Sequence, residues 1–258
     1  MNNIFTYESY KNLIVQMKNE NEIYNFKTIP SDCKSGIILR HDVDFDIEKA
    51  YILSQIEKNN NVTSTYFILT TSDLYNPNSL KNSNLLRKID NNGFEIGLHF
   101  DPSIYSYMTN SELTKKVHYE CSILENIIEK KIESISLHCP SIHNKYPFFK
   151  QYKNAYSKDF FNPDLYISDS CKNFRGKNIF SFIKKNNNNL IQVLFHPIHF
   201  SENNNDYITT FSNIFKEKIN NFDKYMRLNK TYKNEIQNNK FLLKFCDYIN
   251  NNYSGENL

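Results

Sequence analysis

The sequence predicts an α/β chain, a complete or incomplete (β/α) barrel of about seven strands followed by a helical C-terminal region, with an open doubly wound sheet as the alternative that periodicity leaves possible. Three observations carry that prediction. Short apolar, β-branched runs alternate with segments whose apolar residues recur at helical spacing, the signature of parallel βα units. Several of the runs end in His or Asp, at Asp42 and Asp44, His99, His138, Asp169 and His196. In parallel α/β architectures the carboxyl ends of the strands gather on one rim, where ligands bind. Finally, 258 residues with 20 Phe and 18 Tyr supply enough apolar mass for a core of that size.

Taken in chain order, residues 1–35 read as a helical lead-in with Tyr10, Ile14 and Met17 on one face. Residues 36–40 form a short apolar strand, and Asp46 is placed to cap a helix carrying Ile47, Ala50, Tyr51 and Ile56. Residues 62–69 are rich in β-branched and aromatic side chains, hence a strand. A helix over 79–91 carries Leu80, Leu85, Leu86 and Ile89 and stops near Gly93. Residues 94–100 give the third strand, and a long amphipathic helix follows from Ser111 through Leu113, Val117, Cys121, Leu124 and Ile128. Strands over 132–138, 165–168 and 190–195 complete the barrel region, which is drawn as 36–205. Residues 206–258 are expected to be helices packed on the barrel or at an oligomer face.

Composition removes several classes of function. The formal net charge is only +3 and is dispersed, which does not make the clustered basic face of a nucleic-acid binder. No apolar run approaches the ~18 residues a membrane helix needs, so no transmembrane segment is expected. The first residues lack the basic-then-apolar layout of a secretory signal, and the expected location is cytoplasmic. Cys33, Cys121, Cys139, Cys171 and Cys246 form no CxxC pair and read as reduced thiols.

The strand ends carry the chemistry. Two carboxylates as close as Asp42 and Asp44 repel unless a cation lies between them. One carboxylate plus imidazoles is an ordinary ligand set for a divalent ion, and the other carboxylate can then accept a proton from water. His99 and His138 are candidate ligands, and His196, ahead of Pro197, is a candidate general acid. Cys139 adjoins His138, but neighbours on a strand face opposite ways, which argues against a nucleophile there. His41, His118 and His143 read as structural. Tyr146, Phe148, Phe149, Tyr152 and Tyr156 fit a core better than a sugar-stacking wall at this aromatic content.

In order, Arg40-His-Asp-Val-Asp44, Glu95-Ile-Gly-Leu-His-Phe-Asp101, Ser136-Leu-His-Cys-Pro140, Tyr166-Ile-Ser-Asp-Ser170 and Leu194-Phe-His-Pro197 resemble the motifs of the polysaccharide deacetylase-like superfamily. This is the NodB-homology group, carbohydrate esterase family 4, and the likeness is to its RHDVD branch, often met in surface-glycan biosynthesis. The resemblance spans roughly residues 36–200. It implies a distorted barrel and metal-dependent removal of an N-acyl, usually N-acetyl, group from an amino sugar or glycan precursor. It makes Asp42 the base, Asp44 and His99 metal ligands, His196 the acid and Asp169 the residue that orients it. The implied cofactor is one divalent ion, Zn2+ first, with Mn2+, Co2+ or Ni2+ as alternatives.

Two positions depart from the family pattern. Ser103 stands where a second metal histidine is usual, and His138 stands where an arginine supporting the base is usual. Either His138 or Asp101 is then expected to complete the metal site, and Arg40 or Arg175 to supply the guanidinium, with Asp101, Arg40 and Arg175 facing substrate. Two other readings stay open. One is a barrel relative without catalysis that acts as a binding protein, and a homo-oligomer is compatible with either. The other is a nucleotide-sugar glycosyltransferase using Asp42-Val-Asp44 as a metal–diphosphate motif.

Overall fold

A computed structural model of the chain describes residues 4–252. Its elements in order are α1 (Tyr7–Glu20), β1 (Ile23–Tyr24), β2 (Gly36–Val43), α2 (Ile47–Asn59), β3 (Thr65–Leu69), α3 (Leu80–Asn91), β4 (Glu95–Phe100) and α4 (Asn110–Ile128). They continue with β5 (Ser134–Leu137), α5 (Pro140–His143), β6 (Lys153–Asn154), β7 (Tyr166–Ser168), α6 (Ile179–Lys185) and β8 (Leu190–Phe195). The described residues end with three helices, α7 (Tyr207–Met226), α8 (Lys230–Ile236) and α9 (Phe241–Asn252).

Every strand pairing is parallel, in the order β6-β5-β4-β3-β2-β8-β7, with β1 beside the start of β2. The sheet is an incomplete (β/α) barrel: β6 and β7 are its two edges and do not pair with each other. Two compact units emerge, one running to Asn204 and containing all the strands, the other beginning at Asn205 and containing α7–α9. The lead-in is part of the first unit. Tyr10, Leu13, Ile14 and Met17 of α1 are buried in one cluster with Ile37, Leu39 and Ile191 of the sheet. Its helix ends at Glu20, where Asn21 turns to extended backbone and delivers Ile23 and Tyr24 to β2 as a strand.

The two-residue period of a strand sorts side chains between the helix-covered face and the barrel interior. On β4, Ile96, Leu98 and Phe100 join the apolar cluster under α3 and α4, so Glu95, Gly97 and His99 face the opposite way. On β5, Ile135 and Leu137 join the same cluster and Ser134 and Ser136 face inward. On β2, Ile38 sits in an interior cluster with Phe26, Phe67 and Ala155, and Arg40 and Asp42 follow it on that face. The interior therefore becomes progressively polar toward the carboxyl ends of the strands.

Two features anchor this arrangement. Below the polar rim, a Cβ on Gly97 would lie 2.5 Å from the Phe67 ring, so only glycine lets that ring cross the barrel. Outside the barrel, the buried Glu57 of α2 accepts hydrogen bonds from Ser64 Oγ (2.6 Å), Tyr66 Oη (2.8 Å) and Tyr10 Oη, with His41 Nε2 at 2.7 Å. This network ties α1 and α2 to the back of β2, directly behind Asp42. The three-helix unit has its own hub: Asp223 meets Arg227 Nε at 3.0 Å, Tyr232 Oη at 2.9 Å and the Phe241 amide at 3.2 Å. Among the described residues, no helix is long and apolar enough to cross a membrane.

Candidate active site

Asp44, one residue past the end of β2, is the centre of the polar rim. His99 Nε2 from β4 lies 3.1 Å from its Oδ1, and His138 Nδ1, just past β5, lies 3.4 Å from the same atom. The two imidazole nitrogens are 3.1 Å apart. Asp44 is nine-tenths buried, yet no well-aligned hydrogen bond reaches Oδ1. The three donor atoms thus lie within 3.4 Å of one another, at the separations that ligands of a shared ion adopt. Burial opposes ionisation of Asp44, but His138 and His99 beside it hold its carboxyl well below the usual range. Burial likewise disfavours a charged His138, while Asp44 and Cys139 push it up to about 10.

These residues fit a divalent ion. Donors of a tetrahedral zinc site at bonds of ~2.0–2.1 Å stand ~3.4 Å apart, and two imidazoles with one carboxylate are a common catalytic set that leaves a position open. Ser103, where a second histidine is usual in the family pattern, is elsewhere engaged: its Oγ and amide both donate to Asp101 Oδ1, at 2.6 and 2.8 Å. Asp101 caps the turn Pro102–Tyr105 in this way and is not among the converging donors, which are Asp44, His99 and His138.

Asp42 flanks the triad, its Oδ2 3.9 Å from His99 Nε2. The same oxygen lies 3.5 Å from Arg40 Nη2 and accepts from Ser136 Oγ at 3.3 Å, while Oδ1 is buried and without a partner. Arg40 is wholly buried and donates to Ser136 Oγ and Tyr156 Oη, both at 2.9 Å, with its guanidinium 4.7 Å from the Tyr156 ring centre. Burial opposes its charge, but Asp42 and the hydroxyl of Tyr156 hold its pKa above even the usual arginine value. Arg175 is exposed on the loop before α6 at φ 52°. The loop Asn173–Gly176 is a turn closed by Asn173 Oδ1 accepting from the Arg175 amide at 2.7 Å, which leaves that side chain in solvent.

His196 approaches from the other side, its Nε2 4.0 Å from Asp44 Oδ2. Its Nδ1 meets Asp169 Oδ1 at 2.6 Å, and its backbone amide donates to both Asp169 oxygens at 3.0 and 3.1 Å. His199 Nδ1 meets Asp169 Oδ2 at 2.9 Å. Asp169 is wholly buried; burial opposes its charge, but His199 and His196 lower its pKa to about 2. Burial also opposes a charged His196, which Asp169 nevertheless pushes up to about 9. Although Asp169, His196 and His199 also gather their donor atoms, the carboxylate already receives an amide and two ring nitrogens, the pattern of a hydrogen-bond fork rather than an open ligand set.

The structure brings together Arg40, Asp42, Asp44, His99, His138, Asp169 and His196, while Asp101 is engaged by Ser103 and Arg175 is exposed on its loop. Three participants escape a reading of the sequence. Ser136 lies two residues before His138 on one strand face, so alternation alone could have flagged it. His199 is signalled only by Pro197, which starts the single turn Pro197–His199 that doubles back onto Asp169. Tyr156 carries no local signal, since it reaches Arg40 from 116 residues away. Cys139 corrects an expectation. β5 ends at Leu137, and Cys139 adopts φ 45°, so strand alternation no longer applies and Sγ lies 3.5 Å from His138 Nε2. Of the aromatics over 146–156, Phe149 is core, while Tyr146, Phe148 and Tyr156 line a cavity of about 410 Å3.

No protein-family model matches the chain, and no curated protein does. Among solved structures, its fold resembles that of carbohydrate esterase family 4 proteins. A pseudoenzyme of that family from Bacillus anthracis aligns with 71% of this chain at 13% identity and a TM-score of 0.43, and the chain spans about 62% of that protein's length. The peptidoglycan deacetylase PdaC from Bacillus subtilis aligns with 78% of this chain and 100% of its own, at 13% identity and a TM-score of 0.43. The chitin deacetylase from the fungal pathogen Colletotrichum lindemuthianum aligns with 72% of this chain and 83% of its own, at 15% identity and a TM-score of 0.46. At these values the likeness is one of chain trace, and the chemistry of the rim rests on its own residues.

Proposed function

We propose that the protein is a metal-dependent hydrolase that removes an N-acyl group, an acetyl group first, from an amino sugar in a glycan precursor. The observation that carries this reading is the convergence of Asp44 Oδ1, His99 Nε2 and His138 Nδ1, with a partnerless Asp42 oxygen on one side and His196 Nε2 on the other. Asp44, His99 and His138 would hold the ion, zinc being the best match to two imidazoles and a carboxylate, with Co2+, Ni2+ or Mn2+ tolerated by the same donors. When bound, the ion supplies a Lewis acid that polarises the acyl carbonyl.

The chain's own groups do the rest. Asp42 accepts the proton of the attacking water, with Arg40 and Ser136 fixing its other oxygen. Water adds to the acyl carbon, the C–N bond breaks, and His196 Nε2 gives its proton to the departing amine. Asp169 fixes His196 through Nδ1, which leaves Nε2 aimed at the rim. This division of labour makes Asp42→Asn an expected null variant: turnover is lost while metal content is unchanged. An Asp42→Asn protein that still deacylates would remove the base from this scheme.

The test is elemental analysis of the purified chain beside Asp44→Ala and His99→Ala, followed by a screen of N-acetylated amino sugars for released amine. About one divalent ion per chain, lost in both variants, is the expected result. A folded chain that takes up no metal after reconstitution would overturn the hydrolase reading and favour a non-catalytic barrel that binds a glycan. Manganese-dependent binding of a nucleoside diphosphate would favour the transferase reading instead, although both aspartates meet imidazoles that such a motif does not use. The reading places the protein in the cytoplasm, with Met1–Asn204 as the catalytic unit and the three C-terminal helices as a packing or self-association unit.

A further inference from the structure

We infer that Cys139 orients His138 as the third donor of the candidate metal site and thereby sets the affinity of that site. The inference rests on the metal-site reading above and goes beyond it by assigning a role to a residue that neither binds the ion nor touches substrate.

An imidazole that ligates a metal presents a lone pair at one nitrogen and carries its proton on the other. That second nitrogen needs an acceptor to fix the tautomer and the ring plane. The two histidines of the triad differ in this respect. His99 sits within β4 and is almost wholly buried, so packing holds its ring, and its remote Nδ1 has no hydrogen-bond partner. His138 lies beyond the last residue of β5, its amide still donating to the Phe100 carbonyl at 2.8 Å, and with 22% of its side chain exposed its ring is less held by packing than that of His99. Its Nδ1 faces Asp44 and His99, and its Nε2 faces Cys139 Sγ at 3.5 Å.

Cys139 has no competing task. It precedes α5 in the N-cap position, but its side chain makes no capping hydrogen bond. Nor does Sγ belong to the converging donors, which are Asp44, His99 and His138. The ligand itself is signalled independently of the cysteine by Asp44 Oδ1, a buried carboxylate oxygen that no hydrogen bond satisfies. The sulfur therefore acts as the acceptor for His138 Nε2–H, which leaves Nδ1 with its lone pair directed at the metal position. Removing that acceptor frees the ring to rotate and to take the other tautomer, and either change costs the site its third donor for part of the time.

Zinc titration against a chelating dye tests this, with the full-length wild type, Cys139→Ala, Cys139→Ser and, as control, the exposed Cys171→Ala. The expected result is a ~10–100-fold loss of zinc affinity in Cys139→Ala, the range for removing a partner of a ligating histidine. Stoichiometry, and the melting temperature of the zinc-free protein, stay as in the wild type. Cys139→Ser, whose hydroxyl also accepts, recovers most of the loss, and Cys171→Ala binds as the wild type does. Wild-type affinity in Cys139→Ala would overturn the inference and leave the metal site standing. So would a loss that serine does not recover, or one that follows a fall in the zinc-free melting temperature. Absence of zinc binding in the wild type would overturn both the metal-site reading and this inference.

Discussion

Asp169 serves two imidazoles with one carboxylate, and its ionisation is linked to folding. Its folded pKa of about 2 lies below the ordinary 3.8, so the unfolded chain binds the proton more readily as the pH falls. The stabilisation is present above about pH 4 and is lost toward pH 2, a difference of about 2 kcal/mol for a wholly buried group. His196 gives the opposite limb. Its folded pKa of about 9 lies above the ordinary 6.5, so its contribution is full below 6.5 and fades as the pH rises through 9. These are two ends of one ion pair and do not add. The melting temperature of the zinc-free protein is therefore expected to plateau between about pH 4 and 6.5 and to fall on both sides. Asp169→Asn should lower the plateau and flatten both limbs; an unchanged profile in that variant would remove the linkage.

Strand alternation explains at the level of elements why a polar site can sit in an apolar barrel. β4 contributes Ile96, Leu98 and Phe100 to the core under the helices and His99 to the rim, with Gly97 between Glu95 and His99 on the inner face. Glu95 closes the lower interior, accepting from Ser134 Oγ, Thr65 Oγ1 and the Lys27 amide, each at 2.7 Å. Above it, Phe67 occupies the space a side chain at position 97 would need. Gly97→Ala is thus expected to destabilise the fold by ~1–3 kcal/mol, the usual cost of overpacking a dense interior, read as a lower urea midpoint at unchanged slope. Wild-type stability in that variant would show that the ring can yield. The same alternation could have marked the inward set on β4 and β5, Ser136 included. It failed at position 139, because the left-handed residue there ends the period.

Across the whole molecule, every residue assigned to the rim lies in the unit that ends at Asn204. A chain truncated after Asn204 should consequently retain the zinc stoichiometry and affinity of the full-length protein, as measured by the same dye titration. Loss of binding in a folded truncated chain would mean that the helical unit supports the site. The open edges of β6 and β7 leave the barrel without a full ring of strands, and side-chain bonds act across that interior. Gln192 of β8 donates to the Ala155 and Phe160 carbonyls, both at 2.9 Å, and Arg40 of β2 reaches Tyr156.

The sequence by itself determined the βα alternation and the strand ends that carry His and Asp, because period and composition are local properties of the chain. Asp46 as a helix cap and Gly93 as a helix stop were equally legible, each acting within a few residues of itself. What only the tertiary structure decided was which polar residues meet. His138 was the candidate third donor and Asp101 its alternative, and the turn that engages Asp101 with Ser103 leaves His138 beside Asp44 and His99. Arg40 and Arg175 were equal candidates for the guanidinium, and burial on β2 beside Asp42 selects Arg40. His199, Tyr156 and Cys139 took their places through a single turn, a contact between distant segments and one left-handed residue. None of these has a periodic signature, since each depends on where separate segments arrive in space.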